Sequence, residues 1–428
     1  MLQKDQVALR PPMGWNSWDC YGASVNEAQL LGNAAYLAQH LKPYGWEYVV
    51  CDIQWYEPTA DSNDYHPFAD LCMDEYSRLV PAPNRFPRGF GPVADDIHAM
   101  GLKFGIHILR GIPRQAVHRN TPISGSVRTA REIAHPYSIC SWNTDMYGVD
   151  PHKDGAQAYY DSLFALYASW GVDFVKVDDI AVTEFRPDCP YSAKEEIELI
   201  RRALDRCGRP MVLSLSPGPA RLENAAHLKE NANMWRMTGD FWDQWEKLYA
   251  MFERCEQWNP HRAPGCWPDC DMLPLGRLCK NAAYLGARDR WSRFTSAEQR
   301  TMLTLWCVFR SPLMLGGELR DNRPEDLALI TNDAVLALNR NSSQNRPLLR
   351  TETQALWACK DEQGRDVLAL FNLDDQKRTV SVDLTRYGFA GDYDTLDLWT
   401  GKSGAVRGGT LTASPDAHDC LLVRLSQR

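Results

Sequence analysis

Along roughly the first 330 residues, short apolar runs alternate with longer segments whose apolar positions recur at helical spacing. Pro11 to Trp18, Glu47 to Ile53 and Leu102 to Leu109 predict the first three strands. Gly171 to Ile180 predicts a fourth, with Val172, Phe174, Val175 and Val177 buried on both faces as in a parallel sheet. Pro210 to Ser216, Asn233 to Asp240, Trp267 to Leu273 and Phe309 to Glu318 complete eight candidates. Helices are predicted between them over Asn26 to Leu41, Val93 to Met100, Ala156 to Trp170 and Ser192 to Cys207. Pro43 with Gly45, Gly101, Gly171 and Gly208 stand where these four would stop. The segments from Gln54 to Phe90 and from Arg110 to about Val149 predict long polar loops.

Eight strand–helix repeats over roughly 320 residues fit a (β/α)8 TIM barrel. A doubly wound open sheet is the competitor, but no Gly-x-Gly-x-x-Gly or Walker sequence follows a strand. The periodicity then changes from helical to two. Arg350 to Lys360, Asp366 to Leu373, Arg378 to Leu384, Tyr393 to Trp399 and Asp419 to Leu425 alternate apolar and polar residues. That pattern predicts an antiparallel β-sandwich, so the chain divides into a barrel over residues 1–330 and a β-sandwich domain over 331–428.

Composition narrows the function classes. A formal net charge of −8 in 428 residues argues against a general nucleic-acid or anionic-membrane binder. No apolar run approaches a membrane span, and the start lacks the pattern of a signal peptide, so a cytoplasmic location is expected. The 13 cysteines are odd in number and scattered through apolar segments, as free thiols or small core residues would be. Cys266 and Cys270 lack the second pair that a structural zinc site needs. Fifteen tryptophans suit a sugar cleft or a core equally well. Oligomeric state is not readable from these features.

Polar residues recur where barrel strands should end: Asp52, His107, Asp178, Ser216, Arg236 with Asp240, and Asp271. A single such acid is commonly a buried ion pair or a helix cap. Converging acids repel one another, however, so their repetition points to a catalytic pocket at the C-terminal face of the barrel. Lys176, two residues before Asp178, is expected to hold that carboxylate ionised. No His-x-His or His-Glu-x-x-His cluster favours a metal, and no Gly-x-Ser-x-Gly elbow favours a serine triad. Chemistry run by carboxylates without a cofactor remains, and glycoside hydrolysis is the reaction that needs two of them.

Pro12-Met13-Gly14-Trp15-Asn16-Ser17-Trp18, Asp52 with Trp55, Lys176-Val177-Asp178, Arg236-Met237-Thr238-Gly239-Asp240 and Asp269-Cys270-Asp271-Met272-Leu273 stand in a characteristic order. So do Ser311-Pro312-Leu313-Met314 and Glu318-Leu319-Arg320. In this the chain resembles glycoside hydrolase family 27, the α-galactosidases and α-N-acetylgalactosaminidases, from residue 8 to about 325, with a weaker match beyond.

The resemblance implies an exo-acting retaining glycosidase of α-galactosidase type, with Asp178 as nucleophile and Asp240 as general acid/base. It implies a −1 sugar pocket lined by Trp18, Asp52, Lys176, Arg236 and Asp271, and two carboxyl groups about 5–5.5 Å apart. Asp179 drops to a structural role, because neighbours on a strand face opposite ways.

Three substrate-contacting positions depart from the family pattern. Ile53 stands where a second acid grips a galactose-type hydroxyl, and His107 stands where a Tyr is common. Ser216-Pro217-Gly218-Pro219-Ala220 is small where galactosidases are bulky, leaving room for a 2-acetamido group. A β-L-arabinopyranoside or an α-glucoside therefore stays open as substrate. A sugar-binding barrel without catalysis is the rival from another class. In the β domain, Trp357 and Trp399 suit a core or a sugar platform equally.

Overall fold

The computed structural model describes residues 2–61, 64–180, 191, 193–216, 218–282 and 288–427. Eight parallel strands form one curled sheet: β1 (Met13–Asn16), β2 (Tyr48–Cys51), β3 (Lys103–Leu109), β4 (Phe174–Asp178), β5 (Val212–Ser216), β6 (Met234–Arg236), β7 (Trp267–Asp269) and β8 (Leu313–Leu315). From β1 to β7 each pairs with its successor, and β1 pairs with β8. The seam between β7 and β8 is closed just past β7, where Leu273 N–H donates to the Met314 carbonyl (2.7 Å) and Gly316 N–H to the Leu273 carbonyl (3.0 Å). The fold is therefore a TIM barrel, as expected.

Helices follow the strands in turn: α1 (Glu27–Tyr36), α2 (Phe90–Ala99), α3 (Ala156–Ser169), α4 (Lys194–Arg206), α5 (Ala225–Asn231), α6 (Trp245–Trp258), α7 (Ser296–Phe309) and α8 (Pro324–Ile330). A capping box fixes the start of α1, with Asn26 Oδ1 and Gln29 Oε1 each accepting the other's backbone N–H at 3.0 Å. Beyond Tyr36 the expected helix widens into a π turn over Leu37–Leu41. Helix α4 begins at Lys194; Ser192, where it was expected to start, lies outside the described residues.

The two faces of each barrel strand have different fates. Val49, Cys51, Ile106, Ile108, Val175, Val177, Leu213, Leu215 and Trp235 belong to the large core beneath the helices. Tyr48, Val50, Phe174, Val212, Met234, Trp267, Met272 and Met314 fill the barrel interior with Ala8, which plugs its N-terminal end. Along each strand the interior face then turns polar. Tyr48 and Val50 lead to Asp52, Phe174 to Lys176 and Asp178, Val212 to Ser214 and Ser216, and Met234 to Arg236. This places the polar strand ends on one face of the barrel.

The connection after β3 is not the polar loop expected. It contains helices Arg114–Arg119 and Ala130–Ile133 and a three-stranded sheet of Ile112–Pro113, Ala134–Ile139 and Met146–Val149. These strands are short and carry Pro113 and Pro136, so their own sequence has no readable period; pairing between distant segments makes them.

The chain then passes through α9 (Asp333–Asn341) into an antiparallel β domain. Six strands, β9 (Ser343–Arg350), β10 (Gln354–Lys360), β11 (Asp366–Asn372), β13 (Tyr393–Asp397), β14 (Ser403–Val406) and β16 (Cys420–Gln427), form one sheet, and β12 (Val380–Asp383) and β15 (Thr410–Ala413) a second. One face of the larger sheet joins the barrel core through Trp357, Val367, Ala369, Phe371 and Leu422. The other packs Leu356, Leu368, Leu370 and Val423 against Val380, Val382 and Leu411. Trp357 is thus core, and Trp399 Nε1 is tied to Thr304 Oγ1 of α7 at 2.9 Å. Across the interface Arg300 holds Asp419 with two hydrogen bonds (3.1 and 2.6 Å), and His418 stacks on Trp245 at 3.6 Å.

Candidate active site

A cavity of about 640 Å³ opens at the C-terminal ends of the barrel strands. Trp18, Asp52, Ile53, Lys176, Asp178, Ser216, Arg236, Asp240 and Asp271 all line it. His107 is placed differently: it is fully buried behind Asp178 and outside the lining. Pro217, part of the small-residue segment after β5, lies outside the described residues.

The floor of the cavity is a set of paired charges. Lys176 Nζ donates to Asp52 Oδ2 (2.9 Å), as does Asn16 Nδ2 (2.7 Å), while the Ile53 backbone N–H donates to Asp52 Oδ1 (3.0 Å). Burial pushes the Asp52 pKa up, but Lys176, then His107 and Asn16, outweigh it, and the carboxyl sits below its ordinary value. For Lys176, burial favours the neutral amine, yet Asp52 and Asp178 together lift its pKa above the ordinary value. Both partners are therefore charged.

Asp178 Oδ2 lies 3.2 Å from His107 Nε2, and Oδ1 accepts the Asp179 N–H at 2.7 Å. Burial again raises the pKa, but the His107 hydrogen bond and charge, then Arg236 and Lys176, bring it down to about 2. The expectation that Lys176 holds Asp178 ionised is corrected in its emphasis: Lys176 is bonded to Asp52, and His107 is the leading stabiliser. The signal lay in strand order, since β3 and β4 are neighbours and His107 pairs in register with Lys176.

Asp179 departs from the strand with φ 50°, a left-handed conformation that Asp tolerates. Its carboxylate lies 3.0 Å from Arg110, which also binds Glu196 at 2.8 Å. Burial is the main reason its pKa rises to about 7, with Arg110 pulling the other way. Its partners form an ion cluster, yet, contrary to the expectation from strand alternation, Asp179 also lines the cavity, because the chain has already left the strand there.

The rim is built differently. Asp240 follows β6 on a loop, with a side chain 68% exposed, and its Oδ1 accepts from Arg236 Nη1 at 2.7 Å. The same nitrogen donates to buried Asp271 Oδ2 at 2.9 Å, so one guanidinium bridges rim and floor. Asp271 Oδ2 also accepts the Phe241 N–H (2.8 Å). Asp243, close in sequence to Asp240, is occupied by Arg290 at 2.5 and 2.9 Å. Ser216 Oγ is buried and has no hydrogen-bond partner among the described residues.

Sequence reasoning missed Asp19, Tyr65, Trp142 and Trp242, which also line the cavity. Tyr65 and Trp142 come from the two long connections, where no periodicity marks a position. The adjacency of Asp19 to Trp18 was the available signal for Asp19. Among the described residues there is no group of three metal-binding side chains, and no helix is long and apolar enough to cross a membrane.

One cavity thus brings together a half-buried carboxylate held ionised by its neighbours, Asp178, and an open one, Asp240. Comparison with known proteins points the same way. A family model described as "Alpha galactosidase A" matches residues 147–341, and one described as "Alpha galactosidase C-terminal beta sandwich domain" matches 351–425. The α-galactosidase of Cyamopsis tetragonoloba is 25% identical over 432 residues, covering 100% of this chain and 89% of its own. A crystal structure of a GH27 β-L-arabinopyranosidase from Geobacillus stearothermophilus, in complex with arabinose, is 55% identical with a TM-score of 0.97, covering 100% of this chain and 99% of its own. A Bacillus halodurans structure, provisionally described as an α-N-acetylgalactosaminidase, is 53% identical with a TM-score of 0.88, covering 98% and 97%.

Proposed function

The chain belongs to glycoside hydrolase family 27, and from that premise we propose that it is an exo-acting, retaining glycosidase whose preferred terminal sugar is β-L-arabinopyranose. The observation that carries the sugar is Ile53. It is buried, lines the cavity and directly follows Asp52, where the family pattern has a second hydroxyl-gripping acid. β-L-Arabinopyranose has the ring configuration of α-D-galactopyranose without the exocyclic CH2OH. An apolar wall beside Asp52 suits a ring that presents no hydroxymethyl there. A buried site that bonds a hydroxyl discriminates strongly for it; one that cannot bond it leaves the group desolvated and unpaired. The arabinose-bound relative at 55% identity supports the same reading.

In the first half-reaction Asp178, its pKa held down at about 2, attacks the anomeric carbon from the floor as the carboxylate. The bond to the glycosidic oxygen breaks, and Asp240 gives that oxygen its proton. In the second half Asp240 takes a proton from water, which attacks the anomeric carbon and releases Asp178. Two inversions restore the starting configuration. The exposure of Asp240 suits this double duty, because the leaving group departs and water arrives through the open mouth.

Alpha-galactosidase activity is the second reading, favoured by α-galactosidase relatives that align over 97–100% of this chain. An α-N-acetylgalactosaminidase rests on the small residues Ser216, Gly218 and Ala220. The barrel over 1–330 is proposed as the catalytic unit, with 331–428 bracing it.

The test compares kcat/KM for p-nitrophenyl β-L-arabinopyranoside, α-D-galactopyranoside and its 2-acetamido analogue. The arabinopyranoside is expected to lead by at least about tenfold, and Ile53→Asp to shift the ratio toward the galactoside by about 1–3 kcal/mol. A wild type that prefers the galactoside overturns the sugar assignment. Binding without any product would instead favour the non-catalytic barrel.

A further inference from the structure

A chain of three aromatic rings leads from the cavity floor to solvent. Trp18 and Tyr65 lie 6.2 Å apart at 14° to each other, and Tyr65 and Trp142 lie 5.4 Å apart at 46°. All three line the cavity that holds Asp178 and Asp240. Trp18 and Tyr65 are half-buried, whereas the outermost ring, Trp142, is 42% exposed. A large aromatic ring left in water at the mouth of a site forfeits the burial that other tryptophans of this chain obtain.

The wall carrying these rings is tied together. Asp145 Oδ2, from the Trp142 side, accepts from Gln54 Nε2 (2.7 Å) and Tyr56 OH (2.9 Å). Gln115 exchanges two hydrogen bonds with the Leu71 backbone (2.8 and 3.0 Å), and the Phe68 N–H donates to Thr144 Oγ1 at 2.7 Å. Trp142 and Tyr65 therefore stand on two connections that brace each other, and stacking on Trp142 loses little conformational freedom. The Tyr65 phenol is kept protonated by burial first, then by Asp178, Asp52 and Asp240, so no further charge enters this wall.

We propose that Trp142, backed by Tyr65, is a leaving-group subsite that stacks the first pyranose ring of the aglycone, so that the natural substrate is a glycoside whose terminal sugar is attached to another sugar. This rests on the reading that the reacting bond lies between Asp178 and Asp240. With the terminal sugar on the floor, the aglycone is the part of the substrate that reaches the mouth. A neutral aromatic face there suits the C–H face of an uncharged ring.

The test measures Trp142→Ala and Trp142→Phe on two substrates sharing one terminal sugar: a disaccharide and the methyl glycoside. Whichever terminal sugar the wild type cleaves faster is used, so the outcome does not depend on the sugar assignment. Trp142→Ala is expected to lower kcat/KM on the disaccharide by about tenfold, mainly through KM, and by several-fold less on the methyl glycoside. Trp142→Phe restores most of the loss. Equal losses on both substrates, or none on the disaccharide, overturn the proposal.

If the wild type cleaves neither, calorimetry on Asp178→Ala reads the platform without turnover. A disaccharide that binds tighter than its monosaccharide, with the advantage lost on adding Trp142→Ala, supports the subsite. Equal affinities overturn it.

Discussion

The floor and the rim of the cavity hold their charges in opposite ways. On the floor Asp52, Lys176 and Asp178 stand on or directly beyond strands, each bonded to a neighbour that those strands position. On the rim Asp240 stands on a loop, mostly in water, joined to the floor through Arg236. Removing a charge from the floor strands its partner in a medium of low polarity, which is expensive. Removing one from the rim leaves water to take its place. The floor should therefore answer to mutation in both stability and activity, and the rim in activity alone.

The largest effect expected is at Asp178. Asp178→Ala should lower kcat by about 10⁵-fold on an aryl glycoside, as loss of a nucleophile does elsewhere. Wild-type-like turnover would remove Asp178 from the reaction. Next comes Asp240→Ala, expected to lower kcat/KM, which reads the first half-reaction, by about 10³-fold on a glycoside with a poor leaving group. It should cost far less on a dinitrophenyl glycoside, whose departure needs no proton, and leave the melting temperature unmoved. A loss independent of leaving group would contradict the acid role.

Lys176→Met should break the floor in the other way. With Asp52 left buried without its cation, stability is expected to fall by about 3–5 kcal/mol, read by denaturant unfolding. A loss under 1 kcal/mol would show the floor to be as tolerant as the rim.

The smallest effect is a shift with pH. Asp178 is held at about 2 against an ordinary 3.8, so the unfolded chain takes up that proton first as pH falls. Its contribution to stability is thus complete above about pH 4 and fades toward pH 2. His107→Gln leaves burial less opposed. It should raise the acid limb of the activity profile by about one unit and move acid unfolding upward. An unshifted profile would assign the control of Asp178 to Arg236 and Lys176 instead.

The same division explains how much could be read from the sequence. Floor residues follow apolar residues of the same strand at period two, so Val50 then Asp52, or Phe174, Lys176 then Asp178, announces a polar strand end. The eight strands were legible for the same reason. The partner of Asp178 was not, because His107 meets it only through the pairing of β3 with β4. The rim was legible only where a motif marked it, as at Asp240. Tyr65 and Trp142 lie in segments with no period, and the sheet carrying Met146–Val149 arises from pairings distant in sequence. Strands β9, β14 and β15 were missed because they are short or mostly exposed, with too few apolar positions to alternate.

The central claim is that the floor carboxylate, Asp178, attacks and the open one, Asp240, shuttles the proton. The most direct measurement is mass spectrometry of Asp240→Ala after incubation with a dinitrophenyl glycoside of the preferred sugar. Loss of the base should stall the second half-reaction, so a glycosyl group is predicted on the peptide containing Asp178. An adduct on another residue, or complete turnover through an inverted product with no adduct, would contradict the account.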